Sequence, residues 1–147
     1  MSKQFDENEL AALTERYVAM WNEPDAENRS KLIRELWAAD GAQVLADPPQ
    51  EIREAAAALA FPIPTLEVRG HDALERRVTR AYEMFVAPGE HAFAARGRAT
   101  QLSVNLVGIT WLMVSQADGS VAGGGYDVLA LDEDGRIRVD HQFIGVA

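Results

Sequence analysis

From Glu7 to Asn22 the apolar residues Leu10, Leu13, Tyr17, Met20 and Trp21 recur at intervals of three and four, which predicts an amphipathic helix. Pro24 and Asp25 interrupt it and open a second helix, whose face Leu32, Ile33, Leu36 and Trp37 runs to a stop at Asp40-Gly41. "AQVLA" then reads as a short strand. After the boundary Asp47-Pro48-Pro49, Ile52, Ala56 and Leu59 share a helical face as far as "FPIP". "LEVRG" has the length and composition of another short strand. A third long helix is expected from about Gly70-His71-Asp72, with Leu74, Val78, Ala81, Tyr82 and Phe85 on one face and "APGE" as its end.

Beyond His91 the period changes to two. Segments near 92–104, 106–116, 121–132 and 136–145 are rich in Val, Ile, Leu, Phe and Trp, and "ADGS" and "DEDG" punctuate the last three as hairpin turns. Three or four amphipathic helices followed by an antiparallel meander predict an α+β fold. The helices must cover one face of a strongly curved, mostly antiparallel sheet, giving a cone with a cavity between its layers. No linker or repeat divides the 147 residues, so one domain over 1–147 is expected.

Charge narrows the partners. A formal net charge of −9 opposes binding to a phosphate backbone, and no nucleic-acid partner is expected. The basic clusters "ERRVTR" and "ARGR" are flanked by acids or apolar residues and read as solvated faces. With no cysteine, disulfides and thiolate chemistry are excluded. The polar start "MSKQFDENEL" lacks the apolar core of a signal peptide, and no apolar run approaches the roughly 20 residues that span a bilayer. A cytoplasmic protein without a membrane partner is the expectation. Three scattered histidines and no cysteine give no ligand spacing, so no metal is expected. The run Asp132-Glu133-Asp134 reads as a solvated turn.

Two aspartates stand out. Asp127 interrupts an apolar strand in "GYDVLALDED", where alternation sets it beside Leu129 and Leu131, with Tyr126, Val128 and Ala130 opposite. A carboxylate there is costly unless paired or protonated, which suggests a cavity-lining acid. The preceding Gly123, Gly124 and Gly125 leave room for a ligand or permit a bulge. Asp47 supports two readings. Asp-Pro-Pro-Gln is a helix start, with Asp as cap and Pro at the first helical position. An acid that accepts helix amides is a weaker base, which opposes a role in proton abstraction. Tyr17 sits on the core face of the first helix, where its hydroxyl needs a partner; Asp127 or a ligand oxygen would serve. Trp21 and Trp111 read as core or pocket wall.

The stretches "ERYVAMWNEPD" and "WAADGAQVLADP", and the closing "YDVLALDEDGRIRVDHQFIG", resemble the ketosteroid isomerase and SnoaL-like families, which share the nuclear transport factor 2-like fold. The resemblance spans about 7–47 and 71–145, and segment 48–70 is longer than in the isomerases. It implies Tyr17, Asp47 and Asp127 as catalytic residues. In such isomerases the first aspartate shuttles a proton beside a carbonyl, while the tyrosine and a protonated second aspartate hydrogen-bond the enolate oxygen. It also implies that Asp140 and Gln142 face the cavity as ligand contacts, with Trp21 and Trp111, and that His141 faces out.

The function so implied is cofactor-independent proton transfer by an isomerase, cyclase or dehydratase. Its substrate would be a small apolar carbonyl-containing or polycyclic molecule. The alternative is a binding or dimerisation module without chemistry. A dehydratase-like His–Asp pair would need His71, His91 or His141 inside. An epoxide hydrolase would need Arg96 or Arg98 between two acids. Self-association through the outer sheet face is expected, because Val139 and Phe143 would otherwise form an exposed patch.

Overall fold

The computed structural model describes residues 5–45 and 66–145. Asp47 and the predicted helix around 52–59 lie outside the described residues.

Helix α1 (Glu7–Asn22) begins with a capping box: Asp6 accepts from the Glu9 amide at 2.8 Å, and Glu9 accepts from the Asp6 amide at 3.3 Å. Its buried face contains the predicted Leu10, Leu13, Tyr17, Met20 and Trp21, and also Thr14. At its end Asn22 grips the sheet, donating to the Phe93 carbonyl at 2.7 Å and accepting from the Phe93 amide at 2.8 Å. Helix α2 (Ala26–Leu36) is capped by Asp25, which accepts from the Glu27 and Asn28 amides.

This second helix ends earlier than its apolar pattern predicts. Trp37 opens strand β1 (Trp37–Leu45), which pairs with β2 (Leu66–Arg69) and β7 (Ile137–Ile144). Gly41, read as a helix stop, sits instead where the β1–β7 register shifts. A Cβ there would lie 2.8 Å from the Ile137 carbonyl oxygen.

Helix α3 (His71–Ala81) runs into a π-helical turn over Tyr82–Val86, closed by the Ala87 amide on the Tyr82 carbonyl at 2.9 Å. The predicted strand at 92–104 is two strands, β3 (His91–Ala95) and β4 (Thr100–Ser103), separated by a turn at Gly97. Both pair with β5 (Leu106–Ser115). His91 is the first residue of β3 and pairs with Ser115. Strand β6 (Val121–Leu131) completes the sheet, in the order β2-β1-β7-β6-β5-β3 with β4 also on β5. Among the described strands only β1–β7 is a parallel pair; the rest are antiparallel.

The helices cover one face of this sheet, an α+β arrangement in the predicted layers. Ile33, Leu36, Leu74 and Val78 pack with α1 onto Val107, Ile109, Leu129 and Leu131. Each such side chain stabilises the fold by about 1.5–3 kcal/mol through burial. Arg29 is buried in the helical layer. It donates to the Glu23 carbonyl and to Thr79 Oγ1, and lies 4.6 Å from the Tyr82 ring centroid. No helix among the described residues is long and apolar enough to cross a membrane.

Candidate functional site

Between α1, α3 with its π-turn, and the inner face of β3, β5, β6 and β7 lies a cavity of about 380 Å³. That is within the range of small-molecule sites, roughly 300–1,000 Å³. Its walls are aromatic. Trp21, Phe93, Trp111 and Phe85 form a chain of edge-to-face contacts, with Phe93 centroids 6.2 Å from Trp21, 5.7 Å from Trp111 and 6.3 Å from Phe85. Tyr17, Arg77 and Gln142 supply polar atoms to the lining, and Gly123 and Gly124 supply bare backbone.

Behind Tyr17 is a buried hydrogen-bond network. Its hydroxyl lies 2.7 Å from Asp127 Oδ2 and 2.6 Å from Asp140 Oδ2. Trp111 Nε1 donates to Asp127 Oδ1 at 2.7 Å, and Gln142 Nε2 lies 3.2 Å from Asp127 Oδ2. Gln43 Nε2 donates to Asp140 Oδ2 at 3.1 Å. Arg77 orients both amides, its Nε donating to Gln43 Oε1 at 3.1 Å and its Nη2 to Gln142 Oε1 at 3.0 Å. Arginine has no acceptor, so each glutamine must turn its oxygen to Arg77 and its NH₂ to an aspartate.

Counting protons then fixes the state of the acids. Two short contacts at one hydroxyl need two protons, and the phenol carries one. Asp127 receives Trp111 and Gln142 as well as Tyr17, whereas Asp140 Oδ1 is buried without a partner. An orphaned oxygen is less costly on a neutral acid than on a carboxylate. The second proton therefore belongs to Asp140, which donates to Tyr17, and Tyr17 donates to Asp127. Burial, and then the charge of Asp127, holds the Asp140 carboxyl well above the usual carboxylate range. Burial, and then the two acids, likewise push the Tyr17 phenol above its ordinary value. Burial pulls the Arg77 guanidinium below its own, against the opposing influence of Tyr17, Asp127 and Asp140.

The structure thus brings together Tyr17, Asp127, Trp111, Asp140 and Gln142, with Trp21 in the wall. Asp127 and Asp140 have no exposed surface and stand behind the lining, so their contact with a guest is indirect in this state. Asp47 is outside the described residues. His141 is exposed, His71 meets the Trp37 carbonyl oxygen at 2.9 Å, and none of the three histidines lines the cavity. Arg96 and Arg98 are exposed, and Arg98 pairs with Glu7 at 3.0 Å, so neither lies between the acids. Among the described residues no cluster of three or more histidine or acidic side chains is arranged to hold a metal.

Two network members were not anticipated, Gln43 and Arg77. Reading "ERRVTR" as wholly solvated is wrong at Arg77. It falls on the stripe Leu74, Val78, Ala81 at helical spacing, and that register was the available signal.

No protein-family model and no curated protein matches the sequence. Solved structures do. A SnoaL-like family protein from Agrobacterium tumefaciens str. C58, described as a candidate isomerase, is 25% identical; the match covers 92% of this chain and 96% of that one, with a TM-score of 0.70. A nuclear transport factor 2-like protein of unknown function from Exiguobacterium sp. 255-15 is 18% identical, covering 92% and 99%, with a TM-score of 0.56. A candidate polyketide cyclase from Sinorhizobium meliloti is 14% identical, covering 94% and 99%, with a TM-score of 0.56. In element order and in the layering of helices on a curved sheet, the chain has the nuclear transport factor 2-like fold that these SnoaL-like and nuclear transport factor 2-like proteins share.

Proposed function

We propose that the chain is a cofactor-independent enzyme that moves a proton beside a carbonyl group of a small molecule held in the aromatic cavity. The observation that carries this reading is the Tyr17 hydroxyl, shared between Asp127 and Asp140 at a wall of an otherwise largely apolar cavity. When a guest's carbonyl oxygen replaces Asp127 as acceptor of the Tyr17 proton, the phenol, which still accepts the Asp140 proton, can strengthen that hydrogen bond as charge grows on the oxygen. Water exclusion increases the value of that bond. Asp47, two positions along the chain from the cavity-lining Leu45, is the proposed base, a role resting on the family resemblance alone.

The test works without identifying the natural product. Ketones that bind are incubated with the protein in deuterium oxide, and exchange at the carbons beside the carbonyl is followed by NMR. Protein-dependent exchange that falls about 10²–10³-fold in Tyr17→Phe supports the reading. Exchange equal in wild type and variant sinks it.

A second reading is favoured by one observation: the hydrogen bonds of Asp127 to Tyr17, Trp111 and Gln142 are all made within the chain, so its site is complete without a guest. A binding module without chemistry would hold the same ligands and show no exchange. We further propose that a second copy covers the outer sheet face, where Val128, Val139 and Phe143 are half-exposed. Sedimentation of Phe143→Glu as a monomer, against a dimeric wild type, would support this; a monomeric wild type would exclude it.

A further inference from the structure

Arg77 is the cation among the described residues of the cavity wall, and its neighbours leave it without a direct ion pair. Gln43 and Gln142 satisfy its Nε and Nη2 with neutral amide oxygens, and the Trp21 ring centroid lies 5.5 Å from its Cζ. Among the described residues no carboxylate lies within ion-pair distance of it, and no hydrogen bond engages Nη1. Nη1 is also absent from the buried unpaired atoms, where Asp140 Oδ1 stands alone among the described residues. It therefore opens onto accessible space, and the residue lines the cavity. The acids nearest in the network are reached only through the two glutamines, which keep the guanidinium from collapsing onto Asp127.

A cation fixed from behind by two amides, flanked by an indole and facing a hollow of aromatic side chains, suits a particular guest. Planar guanidinium binds planar carboxylate with geometric specificity that a neutral amide does not match. The edges and faces of Trp21, Phe93 and Trp111 suit a flat ring. The chain's net charge of −9 does not oppose this strongly, because charges on the surface are screened over about 8 Å at physiological salt.

We propose that the cavity takes a ring-bearing organic carboxylate, with Arg77 holding the acid group and the aromatic walls holding the ring. This rests on the reading of the cavity as a ligand site, and it makes the proposed substrate a keto acid in place of a neutral ketone.

Isothermal titration calorimetry with 2-naphthoate and its neutral counterpart 2-naphthamide separates the possibilities. Wild type is expected to bind the carboxylate at least about tenfold more tightly. In Arg77→Met that preference should vanish while amide binding persists. In Arg77→Lys, which keeps the charge and loses the fork, it should fall several-fold. If Arg77→Met does not fold, the wild-type ratio and Arg77→Lys still decide.

Equal binding of the two probes by wild type, or a preference that survives Arg77→Met, overturns the inference. Binding of neither probe removes the ligand site and the inference together. A preference for carboxylate without proton exchange on any keto acid leaves this inference standing and defeats the catalytic reading.

Discussion

Trp111 lies across Gly125, its partner on the neighbouring strand: a Cβ at residue 125 would sit 2.5 Å from the indole Cζ2 and 2.7 Å from the Phe143 carbonyl oxygen. The missing side chain is what lets the indole lean along β6 and donate to Asp127, which shares the inner face two residues on. Gly125→Ala should therefore destabilise by about 1–3 kcal/mol, because one obstructing atom is backbone and cannot turn away. Urea unfolding measures this. Trp111→Phe in the Gly125→Ala background should cost less than in wild type, since the hydrogen bond is already broken.

The two buried acids should respond differently to amide replacement. Asparagine at 140 keeps the hydrogen donated to Tyr17 and a carbonyl oxygen as the other atom, but its nitrogen cannot accept from Gln43 Nε2 as Asp140 Oδ2 does. Asparagine at 127 has one oxygen for the donors Tyr17 and Trp111, which reach two. Asp127→Asn should cost about 1–3 kcal/mol at neutral pH, more than Asp140→Asn, which keeps the donor to Tyr17 and loses only the acceptor of Gln43. Equal costs would refute the proton assignment.

That assignment also fixes a pH dependence. The folded Asp140 carboxyl is raised above its unfolded value, so its proton contributes stability that is whole below about pH 3.9, the unfolded value. The contribution drains away as pH rises from there through the folded value, by at most about 1.4 kcal/mol per unit. Asp140→Asn has no such proton. Its stability relative to wild type should increase as pH rises from 4 to 8 (about the window in which the unfolded acid is ionised). Parallel curves would mean that Asp140 is ionised in the folded protein.

Much of this architecture is legible in the sequence where a local signal agrees with the final packing. Helix α1 is bounded as its apolar spacing predicts, because Asp6 and Glu9 cap it and Pro24 follows it. Strand β6 buries Asp127, Leu129 and Leu131 on one side, as alternation requires. Residues 37–40 mislead because Leu36-Trp37-Ala38-Ala39 suits a helix; pairing with distant strands overrides that preference. Arg77 misleads wherever charge is equated with exposure, although its helical register points inward. The partnership of Asp127 with Asp140 is illegible for another reason. It depends on which strands are neighbours and on a tyrosine from a helix more than a hundred residues away.

Asn22 should hold α1 to the edge strand β3, since it donates to and accepts from the same residue, Phe93. Asn22→Ala leaves a peptide group without its partner and should cost about 1–3 kcal/mol. The loss should be local. Hydrogen exchange of the Phe93 amide is expected to quicken well beyond that of Leu129 in central β6. Uniform acceleration along the sheet would show that the contact does not anchor this edge.

Tyr17 couples the two acids, so its removal should change what each is worth. With phenylalanine at 17, Asp140 loses the acceptor for its proton and Asp127 loses one donor, while Trp111 and Gln142 remain on Asp127. Asp140→Asn in that background can no longer gain from mimicking the neutral acid, because nothing receives its amide hydrogen. A double-mutant cycle between Tyr17→Phe and Asp140→Asn should give a coupling of about 0.5–3 kcal/mol, as groups in one hydrogen-bond network do. The cycle is measured by urea unfolding at pH 7 and again near pH 4. Coupling that vanishes at both would mean the 2.6 Å contact carries no energy, and the shared proton with it.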